Sequence, residues 1–271
     1  GGHTGAEMAA LQKASYLGLK AGNGNVIAGM NVFAVPQAAI LEDLGDNEAH
    51  PYFDTFNLHH YAGNDNYPRI YAAFRAVSAG RPLWVSECNI PVHWSGDAKA
   101  QEPTEADLRV QAERVAKVYA SSLHEGSAAT FYFMLPHYVE GQTQFGVLHR
   151  DLSPRPAFVA VAASGRLLSD ARALGRVADK DNPNARTFVF RAAPDGKDRQ
   201  VVVAWAQSGE ATLKAPSTPL FAADHLGREL KIQSAEIKLT AAPRYLVYKE
   251  DTFKKNTLQA PPAPPKFVKG K

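Results

Sequence analysis

The chain has 271 residues, 45% hydrophobic and 21% charged, which suits one large or two modest globular domains. Its net charge of +3 is small and its 30 lysines and arginines are scattered, which argues against nucleic acid as a partner. No run reaches the ~18–20 apolar residues of a membrane span, and a lone cysteine, Cys88, excludes an internal disulfide.

A helix is expected over residues 6–20, followed by a β-branched and apolar run at 26–33. Further near-continuous apolar runs at 53–61, 82–87 and 128–135 have the character of parallel strands buried on both faces. Pro68 sits at a first helical turn, Ile70, Phe74 and Val77 follow at helical spacing, and Gly80-Arg81-Pro82 ends the segment. Thr104 and Asp107 form a capping box in which Asp replaces the usual Glu or Gln. It opens a longer helix with the apolar stripe Leu108, Ala112, Val115, Tyr119, Leu123. A last helix covers about residues 156–171. The order α-β-α-β-α-β-α-β-α predicts a parallel sheet or barrel.

Beyond about residue 175 the runs become short: 187–191, 200–206, 211–214, 229–232, 236–239 and 244–248. Turn formers such as Pro194-Asp195-Gly196 and Ser208-Gly209 separate them, which predicts an antiparallel β-sandwich. From Lys254 the chain is polar and then rich in proline (Pro261, Pro262, Pro264, Pro265), the composition of a disordered tail. The expected division is an α/β domain at 1–174, a β-sandwich at 175–252 and a Pro-rich tail at 253–271.

In parallel α/β architectures chemistry gathers at the C-terminal ends of the strands. Here those ends read Met30-Asn31-Val32-Phe33, Asn57-Leu58-His59-His60-Tyr61, Trp84-Val85-Ser86-Glu87 and Phe131-Tyr132-Phe133-Met134-Leu135. The loops after them add His93, Trp94, His137 and Tyr138. A carboxylate closing an apolar strand is costly to bury without a purpose, so Glu87 is the candidate catalytic group. Aromatic faces stack on the C–H faces of sugars, and His and Asn hydrogen-bond hydroxyls. The rim therefore suits a carbohydrate substrate, with neither a membrane nor nucleic acid as partner. His59 and His60 are adjacent, so alternation lets only one of them face the pocket. His59, His93 and His137 lack metal-ligand spacing, and no Walker loop or G-x-S-x-G elbow occurs, so no metal and no cofactor is expected. Cys88 is expected to point away from Glu87 as a small buried hydrophobe.

Pro82-Leu83-Trp84-Val85-Ser86-Glu87 resembles the seventh-strand signature of the clan of retaining glycoside hydrolases built on (β/α)8 barrels. There a Ser/Thr-Glu pair ends the strand and the Glu is the nucleophile. The stretch from Phe53 to Tyr61 resembles the sixth strand of the same clan. Phe145-Gly146-Val147-Leu148 with Ser153-Pro154-Arg155-Pro156-Ala157-Phe158 resembles the entry to its eighth helix. Asp224-His225-Leu226-Gly227-Arg228 with Pro243-Arg244-Tyr245-Leu246 resembles the sandwich that several families append. The nearest likeness is to families 39 and 5, and it extends to about residue 250.

The resemblance implies a (β/α)8 TIM barrel, present only as strands five to eight, followed by an antiparallel β-sandwich. It implies Glu87 as nucleophile, Tyr61 hydrogen-bonded to its carboxylate, and His59 or His60 on sugar hydroxyls. Asn31 and Trp94 would also hold the sugar. Tyr132, His137 or Trp94 would replace the eighth-strand Trp that many members carry. A secreted or periplasmic location is implied as well. The clan's acid/base glutamate closes the fourth strand in an Asn-Glu pair, which no apolar strand here supplies. Asn47-Glu48 lies in a polar turn, and Glu140 is the only other carboxylate placed near the rim. Retaining hydrolysis needs two carboxyls about 5–5.5 Å apart. The expectation is thus a retaining O-glycoside hydrolase acting on polysaccharide or oligosaccharide that has lost its N-terminal half. The alternatives are a non-catalytic carbohydrate-binding barrel and an inactive truncated fragment.

Overall fold

The structure is a computed structural model and describes residues 4–93, 102–178 and 182–264. In chain order it has α1 (Gly5–Gly22), α2 (Ala38–Asp46), β1 (Phe56–His60), α3 (Tyr67–Val77), β2 (Leu83–Cys88), β3 (Val92–His93), α4 (Glu105–His124) and β4 (Ser127–Tyr132). The short strands β5 (Val139–Glu140) and β6 (Thr143–Gln144) precede α5 (Pro156–Leu167). Then come β7 (Arg172–Arg176), β8 (Ala185–Ala192), β9 (Arg199–Ala206), β10 (Ala211–Lys214), β11 (Phe221–Asp224), β12 (Glu236–Leu239) and β13 (Arg244–Tyr248). The chain divides into two compact units. One comprises Gly1–Cys88, Glu125–Tyr132 and Ala263–Lys271; the other comprises Asn89–His124 and Phe133–Pro262.

In the first unit β1, β2 and β4 form a parallel sheet in that order. Alternation gives this sheet two different faces. Phe56, Leu58, Leu83 and Val85 are buried, as are Tyr67, Ile70, Tyr71 and Phe74 of α3. Asn57, His59 and Trp84 occupy the alternate positions and are only partly buried. The run expected at 26–33 adds a fourth parallel segment, but only as two isolated bridges, Gly29 to Thr55 and Phe33 to Leu58. The segment's other edge is met by α1. Gln12 is buried and its Oε1 accepts the Asn31 amide N–H at 3.0 Å, while its Nε2 donates to the Gly29 and Tyr52 carbonyls. These groups point away from β1, since the Met30 N–H already donates to the Thr55 carbonyl. Gly29 leaves room for Asn57, whose side-chain nitrogen lies where a Cβ would stand.

The α1 helix opens on a capping box between Thr4 and Glu7, each satisfying the other's backbone N–H. The box expected at Thr104 and Asp107 is likewise present before α4. Its stripe is buried at Ala112 and Val115 and half-buried at Tyr119 and Leu123. The strand expected at 128–135 ends at Tyr132 instead of Leu135.

In the second unit an antiparallel sheet runs β11-β13-β9-β8-β7, and β10 pairs with β12 in a separate two-stranded sheet. The central strands are apolar on both faces and feed two cores. Phe188, Phe190, Val201, Val203, Trp205 and Tyr245 pack with Ala116 and Ala120 of α4 and with Leu167 of α5. Val189, Val202, Ala204 and Leu246 pack instead with Leu213 of β10 and with Ile237 and Leu239 of β12. Tyr245 is fully buried and its hydroxyl meets Ser164 of α5 at 2.7 Å.

Several expectations are corrected here. Residues 229–232 form no strand; Gly227 turns the chain at positive φ, and only Glu229 bridges back, to Ala223. β7 and β11 were not expected, and neither was the small sheet β3-β6-β5. The tail is ordered through the described residues. Gln259 exchanges two backbone hydrogen bonds of 2.9 Å with Arg176 of β7, and Leu258 packs on the second core.

Candidate active site

The site is built from the local geometry of β2. Its burial alternates through Leu83, Trp84 and Val85, and then two partly buried residues, Ser86 and Glu87, precede buried Cys88. The register shows why. Leu58 of β1 faces Val85, but His59 faces Glu87, so Ser86 is an extra residue. On the other side Val85 faces Thr130 and Cys88 faces Tyr132, again leaving one residue too many in β2. This is a β-bulge, a device that re-aims the side chains beyond it. Without it Glu87 would follow Leu83 and Val85 onto the buried face. With it Glu87 falls on the face of Asn57, His59 and Trp84, and Cys88 returns to the core.

Glu87 Oε2 has two polar neighbours. The Tyr61 hydroxyl donates to it, and His59 Nδ1 lies 3.2 Å away. Burial draws the His59 pKa below its ordinary value, against the pull of the Glu87 charge. Among the described residues Glu87 Oε1 carries no hydrogen bond, and the side chain is 32% exposed. One oxygen is thus held by Tyr61.

The other expected site residues divide. His60 is corrected from a sugar contact to a core residue. It is 2% exposed, its Nε2 meets the Tyr71 hydroxyl at 3.0 Å, and its ring packs 4.3 Å from Tyr67. Burial lowers its pKa to about 4. Tyr132 is in register with Cys88 and close enough to buried Tyr67 to oppose that residue's ionisation. The aromatic beside Trp84 is instead Phe131, which is exposed, with ring centroids 6.2 Å apart. Strand alternation between 131 and 132 could have identified it. Asn31 is partly buried in the segment alongside β1, its backbone held by Gln12. His137 belongs to the second unit. There its Nε2 lies 3.7 Å from Glu102 Oε1 and 3.4 Å from Gln144 Nε2. Trp94 lies outside the described residues. Glu140 accepts a 2.6 Å hydrogen bond from the Tyr138 hydroxyl in the second unit.

That unit holds a polar network that sequence reasoning missed. Arg155 is wholly buried; its Nη2 donates to Glu102 Oε2 at 2.7 Å and its Nη1 to the Gly146 carbonyl at 3.0 Å. His149 Nδ1 reaches the same Glu102 oxygen at 3.2 Å. The network ties the segment before α4 to the loop that precedes α5. Among the described residues no group of three or more His, Cys, Asp or Glu could hold a metal ion. No helix among them is long and apolar enough to cross a membrane.

No protein-family model matches the chain, and no curated protein matches it. Solved structures do. One is a family 39 glycoside hydrolase from Bacteroides cellulosilyticus WH2, with a TM-score of 0.66 and 19% identity over 89% of this chain and 55% of that one. Another is an alpha-L-arabinofuranosidase from Thermotoga maritima in an arabinose complex, with a TM-score of 0.56 and 11% identity over 90% of this chain and 62% of that one. A further arabinofuranosidase gives 0.54 and 12% over 91% and 60%. The chain therefore spans less than two thirds of each neighbour's length. At these identities the likeness is one of fold: this chain shares the α/β fold of glycoside hydrolases.

Proposed function

We propose that the chain is the C-terminal part of a retaining O-glycoside hydrolase acting on oligosaccharide or polysaccharide, with Glu87 as nucleophile. On this reading the segment at 29–33 with β1, β2 and β4 are strands five to eight of a (β/α)8 barrel. Residues 1–174 are then the barrel portion, 175–252 an appended β-sandwich, and 253–271 a Pro-rich tail. The observation that carries the reading is the setting of the Glu87 carboxylate: the Tyr61 hydroxyl donates to Oε2, His59 Nδ1 lies 3.2 Å from the same oxygen, and Oε1 is left to attack.

Attack of Oε1 on the anomeric carbon would form a covalent glycosyl-enzyme as the leaving oxygen is protonated. Charge drains from Glu87 in that step, and the Tyr61 donor fixes the carboxylate's orientation for it. His59 would contact a sugar hydroxyl, and Asn31 and Tyr132 of the same unit are the further candidates for binding. The acid/base glutamate would come from the portion of the protein that corresponds to the rest of the neighbours' length. Incubating the complete protein with an activated 2-deoxy-2-fluoro glycoside and mapping the labelled peptide tests the assignment. Label on Glu87 is expected; label on any other residue sinks it.

A further inference from the structure

We propose that Asn23, at the C-terminal end of α1, is a modification site, where the side-chain amide is lost through a cyclic imide to leave aspartate or isoaspartate. Asn23-Gly24 is the only Asn-Gly pair in the sequence. The reaction needs an exposed carboxamide, an unhindered backbone nitrogen after it, and a backbone free to turn. Asn23, Gly24 and Asn25 are all exposed. The Asn25 N–H donates to Asn23 Oδ1 at 3.0 Å, which folds the carboxamide over the backbone that follows it. Among the described residues the Gly24 N–H makes no hydrogen bond. The space around Gly24 is open, since a Cβ there would meet nothing nearer than the Lys20 carbonyl oxygen at 3.9 Å. Ring closure turns Asn23 away from its ψ of 105° and breaks the 3.1 Å hydrogen bond from the Val26 N–H to the Asn23 carbonyl. This turn lies just beyond a helix end, where local opening costs little.

In the first step the Gly24 nitrogen gives its proton to hydroxide and bonds to Asn23 Cγ, the Cγ–Nδ2 bond breaks, and ammonia leaves. Water then opens the imide. Addition at Cγ breaks the new bond and leaves aspartate; addition at the backbone carbonyl leaves isoaspartate, with the chain running through the side chain. Nothing is oxidised or reduced. Other asparagines lack the combination. Val follows Asn25 and Asn31 and crowds the nitrogen with its branched side chain, and Pro follows Asn182 and has no N–H. Asn89 is wholly buried. The product at position 23 sits beside Lys20, whose Nζ donates to the Val26 carbonyl at 2.6 Å and the Gly24 carbonyl at 3.4 Å and pairs with Asp54 at 2.7 Å. Isoaspartate lengthens the backbone between α1 and these carbonyls, and either product puts a negative charge at a helix C-terminus, where it is unfavourable. Conversion therefore loosens the start of the 26–33 segment.

Holding the native full chain in mildly alkaline buffer tests the site, followed by intact mass, peptide mapping and labelling with isoaspartyl methyltransferase. Conversion is expected at Asn23 before any other asparagine. G24A fits the open turn but hinders the attacking nitrogen, and should slow conversion at least about tenfold. In the converted chain the Val26 amide should exchange its hydrogen at least about tenfold faster than in the fresh chain. No conversion, conversion first at another asparagine, or an unslowed variant overturns the proposal, and unchanged exchange at Val26 overturns the loosening. Should the variant unfold, the mapping of the unaltered chain decides.

Discussion

At Glu87 the hydroxyl of Tyr61 donates to the oxygen that His59 Nδ1 approaches to 3.2 Å, so the two contacts are separable by substitution. A hydrogen bond to a charged group contributes about 1.5–3 kcal/mol. Y61F is therefore expected to lower kcat/KM of the complete protein about 10- to 100-fold while leaving its fold intact, as steady-state kinetics beside circular dichroism would show. His60 carries a different expectation. Burial lowers its pKa from 6.5 in the unfolded chain to about 4 in the fold. Above pH 6.5 both states are neutral and the fold keeps its full stability. As pH falls from 6.5 toward 4 the unfolded chain takes up a proton that the folded one refuses, and stability is lost by up to about 3 kcal/mol. Urea titrations at pH 7 and pH 4 should show this loss, and H60Q should reduce it. No reduction in that variant would place the acid sensitivity elsewhere, His124 being the next candidate since its pKa is also lowered to about 4 by burial.

At the scale of elements, T104A removes the side chain that accepts from the Asp107 amide at the start of α4. It should lower stability by about 1 kcal/mol in denaturant unfolding, the usual worth of an N-cap. This cap was legible in sequence because its partners lie three residues apart. So were β1, β2, β10, β12 and β13, whose apolar runs are local signals. Strands of two residues, such as β3, β5 and β6, have no periodicity to read and exist only through their pairing. The run at 229–232 had strand composition and yet lacks a continuous partner. The site was legible to the same depth. Glu87 and Tyr61 stood at strand ends, and alternation said that only one of two adjacent histidines could join them. Which one depended on Tyr67 and Tyr71 of α3, which cover His60 from another part of the chain. The second-unit network around Glu102 and Arg155 joins residues about fifty positions apart, beyond the reach of any local pattern.

Across the whole molecule one thiol reports on opening. Cys88 is fully buried, and burial raises its pKa far above the ordinary thiol value. The thiolate is the reactive form, so native protein should react with a disulfide reagent only when the sheet of the first unit opens. The labelling rate should then rise with denaturant in parallel with unfolding. Fast labelling without denaturant would show that the β2 end of this sheet is open in the native state.

The extra residue at Ser86 also fixes how the chain tolerates changes in length. Up to Val85 the strand is read in steps of two; then one position is skipped and the count resumes at Glu87. Deleting Ser86 restores the plain rhythm and leaves Glu87 on the same side, so the shortened chain should still fold and still present its carboxylate. Inserting one residue between Ser86 and Glu87 reverses the count. The carboxylate would then turn toward Tyr67, and Cys88 would come out in its place, open to rapid alkylation. A single codon thus decides whether this sheet offers an acid or a thiol.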